Sequence, residues 1–137
     1  MKDLGVSNYF LGVEVARGRD RFLLYQHKYA LNIIFDVVLL GARAANVPLE
    51  QNHQLALSTS KELGNLEPYR CLVGWLIYLC FTRPKLSYSV HVLSQFMQHP
   101  QEDHWEATLR VVCYLKGNPG QGILLSSKCD LQLQGWC

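Results

Sequence analysis

The sequence predicts an α+β fold of incomplete outline: a β-hairpin at the N-terminal end, helices through the middle and short strands at the C-terminal end. Three observations predict it. Residues 9–15 (YFLGVEV) are aromatic and β-branched, as strands are. Residues 69–97 carry apolar side chains at helical spacing on both sides of Thr82-Arg83-Pro84. After Gly117-Asn118-Pro119-Gly120 the pattern returns to short β-like runs.

In chain order, residues 9–15 read as one strand. Gly18-Arg19-Asp20 supplies turn chemistry, and residues 22–25 return as the partner strand. A helix is expected over residues 27–39, with Tyr29, Ile33, Ile34 and Val37 or Val38 on one face and Gly41 as its stop. Residues 42–66 are polar and carry Pro48, Asn52, Gly64 and Asn65, the composition of a long loop. Such a loop inside a compact domain marks a functional excursion or a linker. The next segment, YRCLVGWLIYLCFTRPKLSYSVHVLSQFM, places Leu72, Leu76 and Leu79 on one helical stripe and Leu86, Val90, Leu93 and Met97 on another. Pro84 ends the first of these helices and opens the second, since proline lacks an N–H yet suits a helix's first turn. A third helix is expected over residues 101–116, between Pro100 and Gly117, with Trp105, Leu109, Val112 and Leu115 as its apolar stripe. Residues 122–125 and 131–135 read as short strands.

Composition narrows the class. A chain of 137 residues is one domain's worth and can bury a modest core. At 49% hydrophobic and 18% charged it is globular rather than disordered. The net charge of +2 does not announce a nucleic-acid binder, and the densest basic cluster, Arg17, Arg19 and Arg21, reads as a solvated turn. Five cysteines, an odd number without a C-x-x-C pair, argue against a disulfide framework or a zinc ribbon. They fit reduced thiols in an intracellular setting. No apolar run reaches the roughly eighteen residues of a membrane span, and Met1-Lys2-Asp3-Leu4-Gly5 lacks the apolar core of a signal peptide. A lone hairpin is too small a sheet to stand, and no helix follows the C-terminal strands. Both ends are therefore expected to be pieces of sheets whose other strands lie outside the chain, which is the pattern of a fragment.

Four stretches, in one order, resemble copia-type LTR-retrotransposon Pol polyproteins: MKDLGVSNYFLGVEVARG with FLLYQHKYALNII; LLGARAANVPLEQNHQLA; LVGWLIYL, TRP and VHVLSQFM; and HWEATLRVVCYLKGNPGQGILL. The resemblance covers nearly the whole chain. It implies that residues 1–40 hold the end of a palm with a primer-grip-like hairpin and the first thumb helix, and residues 41–66 a loop. Residues 67–120 would be thumb-like and connection helices, and residues 121–137 the first strands of a truncated RNase H domain. The implied parent is an RNA-directed DNA polymerase that uses Mg²⁺ and handles an RNA–DNA or DNA duplex. No membrane partner and no small-molecule substrate is expected.

Six residues match the family's nucleic-acid-handling motifs. Phe10, Leu11 and Gly12 match the primer grip, where a glycine lets a phosphate backbone come close to the main chain. Read without the resemblance, they form an ordinary strand with a glycine at a bulge. Arg70, Gly74 and Tyr78 lie four residues apart on one helix face and match the thumb helix that follows the duplex minor groove. A cation, a gap and an aromatic suit tracking of a duplex by backbone and shape. The alternative for these residues is a close helix contact at Gly74 and a half-buried Tyr78. The chain departs from the pattern at Lys85, where an acid is usual, and at Cys113, where arginine is typical. Phe35-Asp36-Val37-Val38 is also more apolar. Lys85 opposes the helix dipole there at a cost of about 0.3–1 kcal/mol.

Polymerisation needs carboxylates that hold a pair of Mg²⁺ ions. The N-terminal acids Asp3, Glu14 and Asp20 supply no paired aspartates, and Gly135-Trp136-Cys137 stands where the resemblance places the first RNase H acid. The expectation is a non-catalytic fragment with no catalytic residue, no metal ligand and no cofactor of its own. His99, Asp103, His104 and Cys113 do not read as a metal set. His99 precedes Pro100, and Asp103 suits the first turn of a helix. Two alternatives stay open: a residual nucleic-acid-binding module, and a subunit completed in trans by a palm-bearing chain.

Overall fold

Residues 9–37 and 43–126 are described by the computed structural model. In chain order they form β1 (Tyr9–Phe10), β2 (Val13–Arg17), β3 (Arg21–Tyr25), α1 (His27–Asp36), α2 (Glu67–Leu79), α3 (Ser87–Ser94), α4 (Glu102–Gly117) and β4 (Gly122–Ser126). The four helices pack together beside one four-stranded antiparallel sheet of order β1-β2-β3-β4, an α+β fold.

The helices bury the stripes that their periodicity announces. Tyr69, Leu72, Val73, Leu76 and Leu79 of α2 meet Ala30, Ile33 and Ile34 of α1, Val90 and Leu93 of α3, and Val111, Val112 and Leu115 of α4. Local chemistry fixes the helix starts. The Glu14 carboxylate accepts the Lys28 N–H at 3.0 Å, and the Asn65 side-chain oxygen accepts the Glu67 N–H at 3.1 Å. Pro68 sits in the first turn of α2, where a missing N–H costs nothing.

Several boundaries differ from expectation. Helix α1 ends at Asp36, with Val37 as its cap; Val38 and the expected stop at Gly41 lie outside the described residues. Pro84 opens a 3-10 turn, Pro84–Leu86, that leads into α3, and α3 stops at Ser94, so half-buried Met97 packs on the core from beyond the helix. On α4 the buried stripe is rotated relative to the expected one. His104, Thr108 and Val111 join Val112 and Leu115 inside, while Trp105 and Leu109 are half-buried. Sequence hydropathy misplaces this face because two polar residues on it are fully partnered. The His104 Nδ1 accepts the Gln101 N–H at 2.9 Å, its Nε2 lies 2.9 Å from the Leu55 carbonyl, and the Thr108 hydroxyl donates to the His104 carbonyl at 2.8 Å. Phe96 stacks on the His104 ring at 3.9 Å.

Of the loop expected over residues 42–66, residues 43–66 are described, and they form a strap laid along α4. Ala45 N–H donates to the Cys113 carbonyl, Arg110 bridges to Glu50 at 2.7 Å, and the Ser58 hydroxyl donates to Asp103 at 2.6 Å. Glu62 then bridges to Gln101. Between strap and helix runs a groove of about 790 Å³ lined by Leu49, Leu55, Leu109 and Cys113 among others. Its Glu50–Arg110 pair and Asp103 are already bonded to strap or helix partners, so the groove is a seam between them.

The sheet departs most from the sequence reading. Residues 9–15 do not form one strand: the chain reverses at Leu11-Gly12, and Phe10 pairs with Val13. Strand β4 pairs with β3 from Arg21↔Ser126 to Tyr25↔Gly122. The N-terminal and C-terminal strands among the described residues thus enter a single sheet, where two partial sheets are expected. Alternation marks a stretch as a strand without naming its partner. The close β3–β4 approach needs Gly122, because a Cβ there would lie 2.2 Å from the Leu24 carbonyl oxygen. The strand expected over residues 131–135 lies outside the described residues.

Thr82 and Arg83 clasp the sheet to the helices. The Thr82 hydroxyl donates to the Gln26 side-chain oxygen at 2.8 Å, at the β3–α1 joint. Arg83 donates from Nη1 to the Asn118 carbonyl at 2.7 Å and from Nη2 to the Pro119 carbonyl, at the α4–β4 joint. All three side chains are buried. Burial pulls the Arg83 guanidinium below its ordinary pKa, a cost that the two carbonyl bonds offset.

Candidate nucleic-acid interface

The Leu11-Gly12 turn is a two-residue hairpin with positive φ at both central positions, 48° and 79°. That is the type I′ geometry that matches strand twist. Gly12 adopts it freely. Leu11 does so at about 1–2 kcal/mol, because its Cβ crowds the following carbonyl. The bulged-strand alternative for Phe10, Leu11 and Gly12 gives way to a tight turn whose tip is exposed: Leu11 is 73% accessible.

The tip rests on α2. The Tyr78 hydroxyl donates to the Leu11 carbonyl. A Cβ at Gly12 would sit 3.6 Å from the Tyr78 ring and hydroxyl. The edge of the Tyr29 ring meets Tyr78 at 5.3 Å and 77°. Burial, and then the neighbouring Tyr78, raise the Tyr29 phenol above its ordinary pKa. The fold thus brings together four of the six sequence-named residues: Phe10, Leu11, Gly12 and Tyr78.

Arg70 lies at the other end of the same helix, about 12 Å away at 1.5 Å per residue. It is exposed, and its Nε donates to the Met97 carbonyl at 2.8 Å. Gly74 lies between them and is also exposed. No atom comes within 4 Å of where its Cβ would be, so the close-helix-contact alternative for Gly74 is excluded among the described residues.

Around this line α2 is apolar where it faces outward. Trp75, Ile77 and Tyr78 are exposed on the helix, and Phe81 just beyond it is 64% accessible. Sequence reasoning did not single out Trp75, Ile77 or Phe81. The signal was present, because a helix that is apolar all round calls for cover all round. The basic cluster is not part of this face. Arg17, Arg19 and Arg21 lie at the β2–β3 turn, at the far end of β2 from the tip, and Arg17 stacks over Phe22 at 5.4 Å. Among the described residues no group of three or more His, Cys, Asp or Glu is placed to hold a metal ion. The described thiols of Cys71, Cys80 and Cys113 are free.

The chain is similar to the retrovirus-related Pol polyprotein from transposon RE2 of Arabidopsis thaliana, at 40% identity over 129 residues, 94% of the chain. It is 37% identical over 99% of its length to the corresponding polyprotein from transposon RE1 of the same plant. An uncharacterized mitochondrial protein of Arabidopsis thaliana is 33% identical over the whole chain, which covers 57% of that protein. No protein-family profile matches the chain, and no solved structure matches it. The chain spans about 9% of the length of the RE1 and RE2 polyproteins. It is a homologue of one segment of the Pol polyproteins of copia-type transposons.

Proposed function

We propose that this chain is the primer-grip, thumb and connection region of a retrotransposon RNA-directed DNA polymerase, and that by itself it is non-catalytic. In the intact polymerase an RNA–DNA or DNA duplex would cross the outer face of α2, with the Leu11-Gly12 tip at one end and Arg70 at the other. The observation that carries this reading is Gly74. A glycine inside a helix costs about 0.5–1 kcal/mol relative to alanine, and no described contact in the fold makes use of the gap it leaves. Its use lies in something large that approaches this face. The acids support the non-catalytic part: Glu14 is committed to the start of α1, and Asp103 accepts from Ser58. On this reading residues 1–40 close the palm and begin the thumb, and residues 67–120 complete the thumb and connection. Residues 121–137 lead toward RNase H, with β4 still part of the hairpin's sheet.

Two measurements test it. Primer extension with Mg²⁺ by the isolated chain should give no product; robust synthesis would end the non-catalytic reading. Binding to an RNA–DNA duplex should fall as salt rises and should weaken in Arg70→Ala. Gly74→Ala should raise thermal stability while lowering duplex affinity, and a gain in both would remove the interface.

A second reading, a subunit completed in trans by a palm-bearing chain, is favoured by the sheet. Phe10, Val13, Val15, Phe22, Leu24, Ile123 and Leu125 share one face by strand register; Val13 is buried, and the other six are half-buried or exposed. Co-purification with a chain carrying the palm aspartates discriminates it.

A further inference from the structure

The hydroxyl of Tyr78 is engaged within the protein. We infer that Tyr78 is a positioning residue, a latch that sets the hairpin tip on α2, rather than a residue whose hydroxyl reads the duplex. Three independent features converge on it. Its hydroxyl donates to the Leu11 carbonyl, its ring lies beside Gly12, and Tyr29 braces the ring edge-on.

The turn chemistry explains why a latch is needed. In a two-residue hairpin the carbonyl of the first central residue points away from the ladder and finds no cross-strand donor. Asn-Gly or Asp-Gly makes such turns readily; here the first position is leucine, in a backbone region that leucine disfavours. The Phe10–Val13 pair closes the turn, but the leucine side chain does nothing to favour it. The Tyr78 hydroxyl supplies both a partner for the orphan carbonyl and an anchor on a helix whose other side is buried in the core. The tip is thereby held on α2, and its position follows any movement of that helix. On the nucleic-acid reading above, on which only this consequence rests, the latch keeps the main chain of Gly12 and the outer face of α2 in one fixed relation.

The experiment is amide hydrogen exchange of the full chain without nucleic acid, followed by duplex binding. Tyr78→Phe removes one hydroxyl and leaves the ring. Exchange at Phe10 and Val13, which flank the turn, should speed up roughly five-fold, while Leu23 in β3 stays unchanged. Adding Leu11→Asn creates an Asn-Gly turn that holds itself, so the double variant should recover slow exchange at the tip. Loss of a merely space-filling tyrosine would not be rescued that way. RNA–DNA duplex affinity should fall several-fold in Tyr78→Phe and return in the double variant. Unchanged tip exchange in Tyr78→Phe overturns the latch, whatever the binding shows. Faster exchange with unchanged duplex affinity keeps the latch and overturns the interface instead.

Discussion

The four helices and the four strands of this protein are built to different standards of burial. The helices enclose a core to which each contributes two or more fully enclosed apolar side chains. Among the described strand residues only Val13 counts as buried, while Phe10, Leu124 and Leu125 stand exposed. The helices thus hold the core, and the sheet is held by its own ladder, by the Thr82–Arg83 clasp, by Glu14 at the start of α1 and by Tyr78 at the hairpin tip. An antiparallel sheet with one apolar face is ordinarily packed against another layer. Here the layer next to the sheet supplies joints rather than cover. The comparison teaches that stability and candidate function sit in different places. The core resides in the helices, and the exposed apolar surface lies on the sheet and on the outer face of α2.

Substitutions can break that comparison. The largest effect is expected for Leu76→Ala, which empties a fully buried position and should cost about 2–5 kcal/mol in urea unfolding. Next comes Gly122→Ala, whose Cβ would collide with the Leu24 carbonyl and with the Tyr25 Cβ at 2.7 Å. Overpacking of that kind costs about 1–3 kcal/mol. It should release β4, seen as rapid amide exchange at Leu24 and Leu125, with the helical circular dichroism intact. Loss of the helical signal in the same variant would show that sheet and helices fold as one unit.

Tyr69→Phe tests the helical side more gently. The Tyr69 hydroxyl donates to the Leu93 carbonyl at 2.7 Å, and the Phe96 N–H also reaches that carbonyl, so its loss should cost about 1 kcal/mol. Burial pushes the Tyr69 phenol up to about 12, from 10.0. The folded state therefore resists ionisation more than the unfolded chain does. This contribution is complete below pH 10 and is lost as pH rises from 10 through 12. The stability gap between wild type and Tyr69→Phe should shrink across that window; a constant gap would sink the assignment. The smallest effect belongs to Leu125→Ser. At 46% accessible this β4 residue should shift stability by no more than about 0.5 kcal/mol. A loss near that of Leu76→Ala would mean that the sheet face is covered in solution.

Much of the helical half is legible in the residues. Leu72, Leu76, Leu79, Leu86, Val90 and Leu93 recur at helical spacing, and the structure buries them all. Periodicity reports which face turns inward because apolar side chains leave water wherever the helix lies. The α4 stripe shows the limit of that argument. His104 and Thr108 look like surface residues until the partners that satisfy them are seen. The turn at Leu11-Gly12 was hidden for a similar reason, since leucine is not a residue that announces positive φ. In the candidate site, the shared face of Arg70, Gly74 and Tyr78 followed from helical spacing. The contact between Tyr78 and Leu11, residues 67 apart in the chain, did not.

By itself, then, the sequence determined the kinds of element, the inward faces of most helices and the likeness to a Pol polyprotein segment. Each depends on residues close together in the chain or on the order of motifs. Only the tertiary structure decided that the first and last described strands share one sheet, that Thr82 and Arg83 clasp it to the helices, and that the Tyr78 hydroxyl meets the Leu11 carbonyl. Those facts concern which distant groups meet. A strand edge, a guanidinium or a phenol carries no local mark of its partner, and the packing of the helical core is what brings each pair within reach.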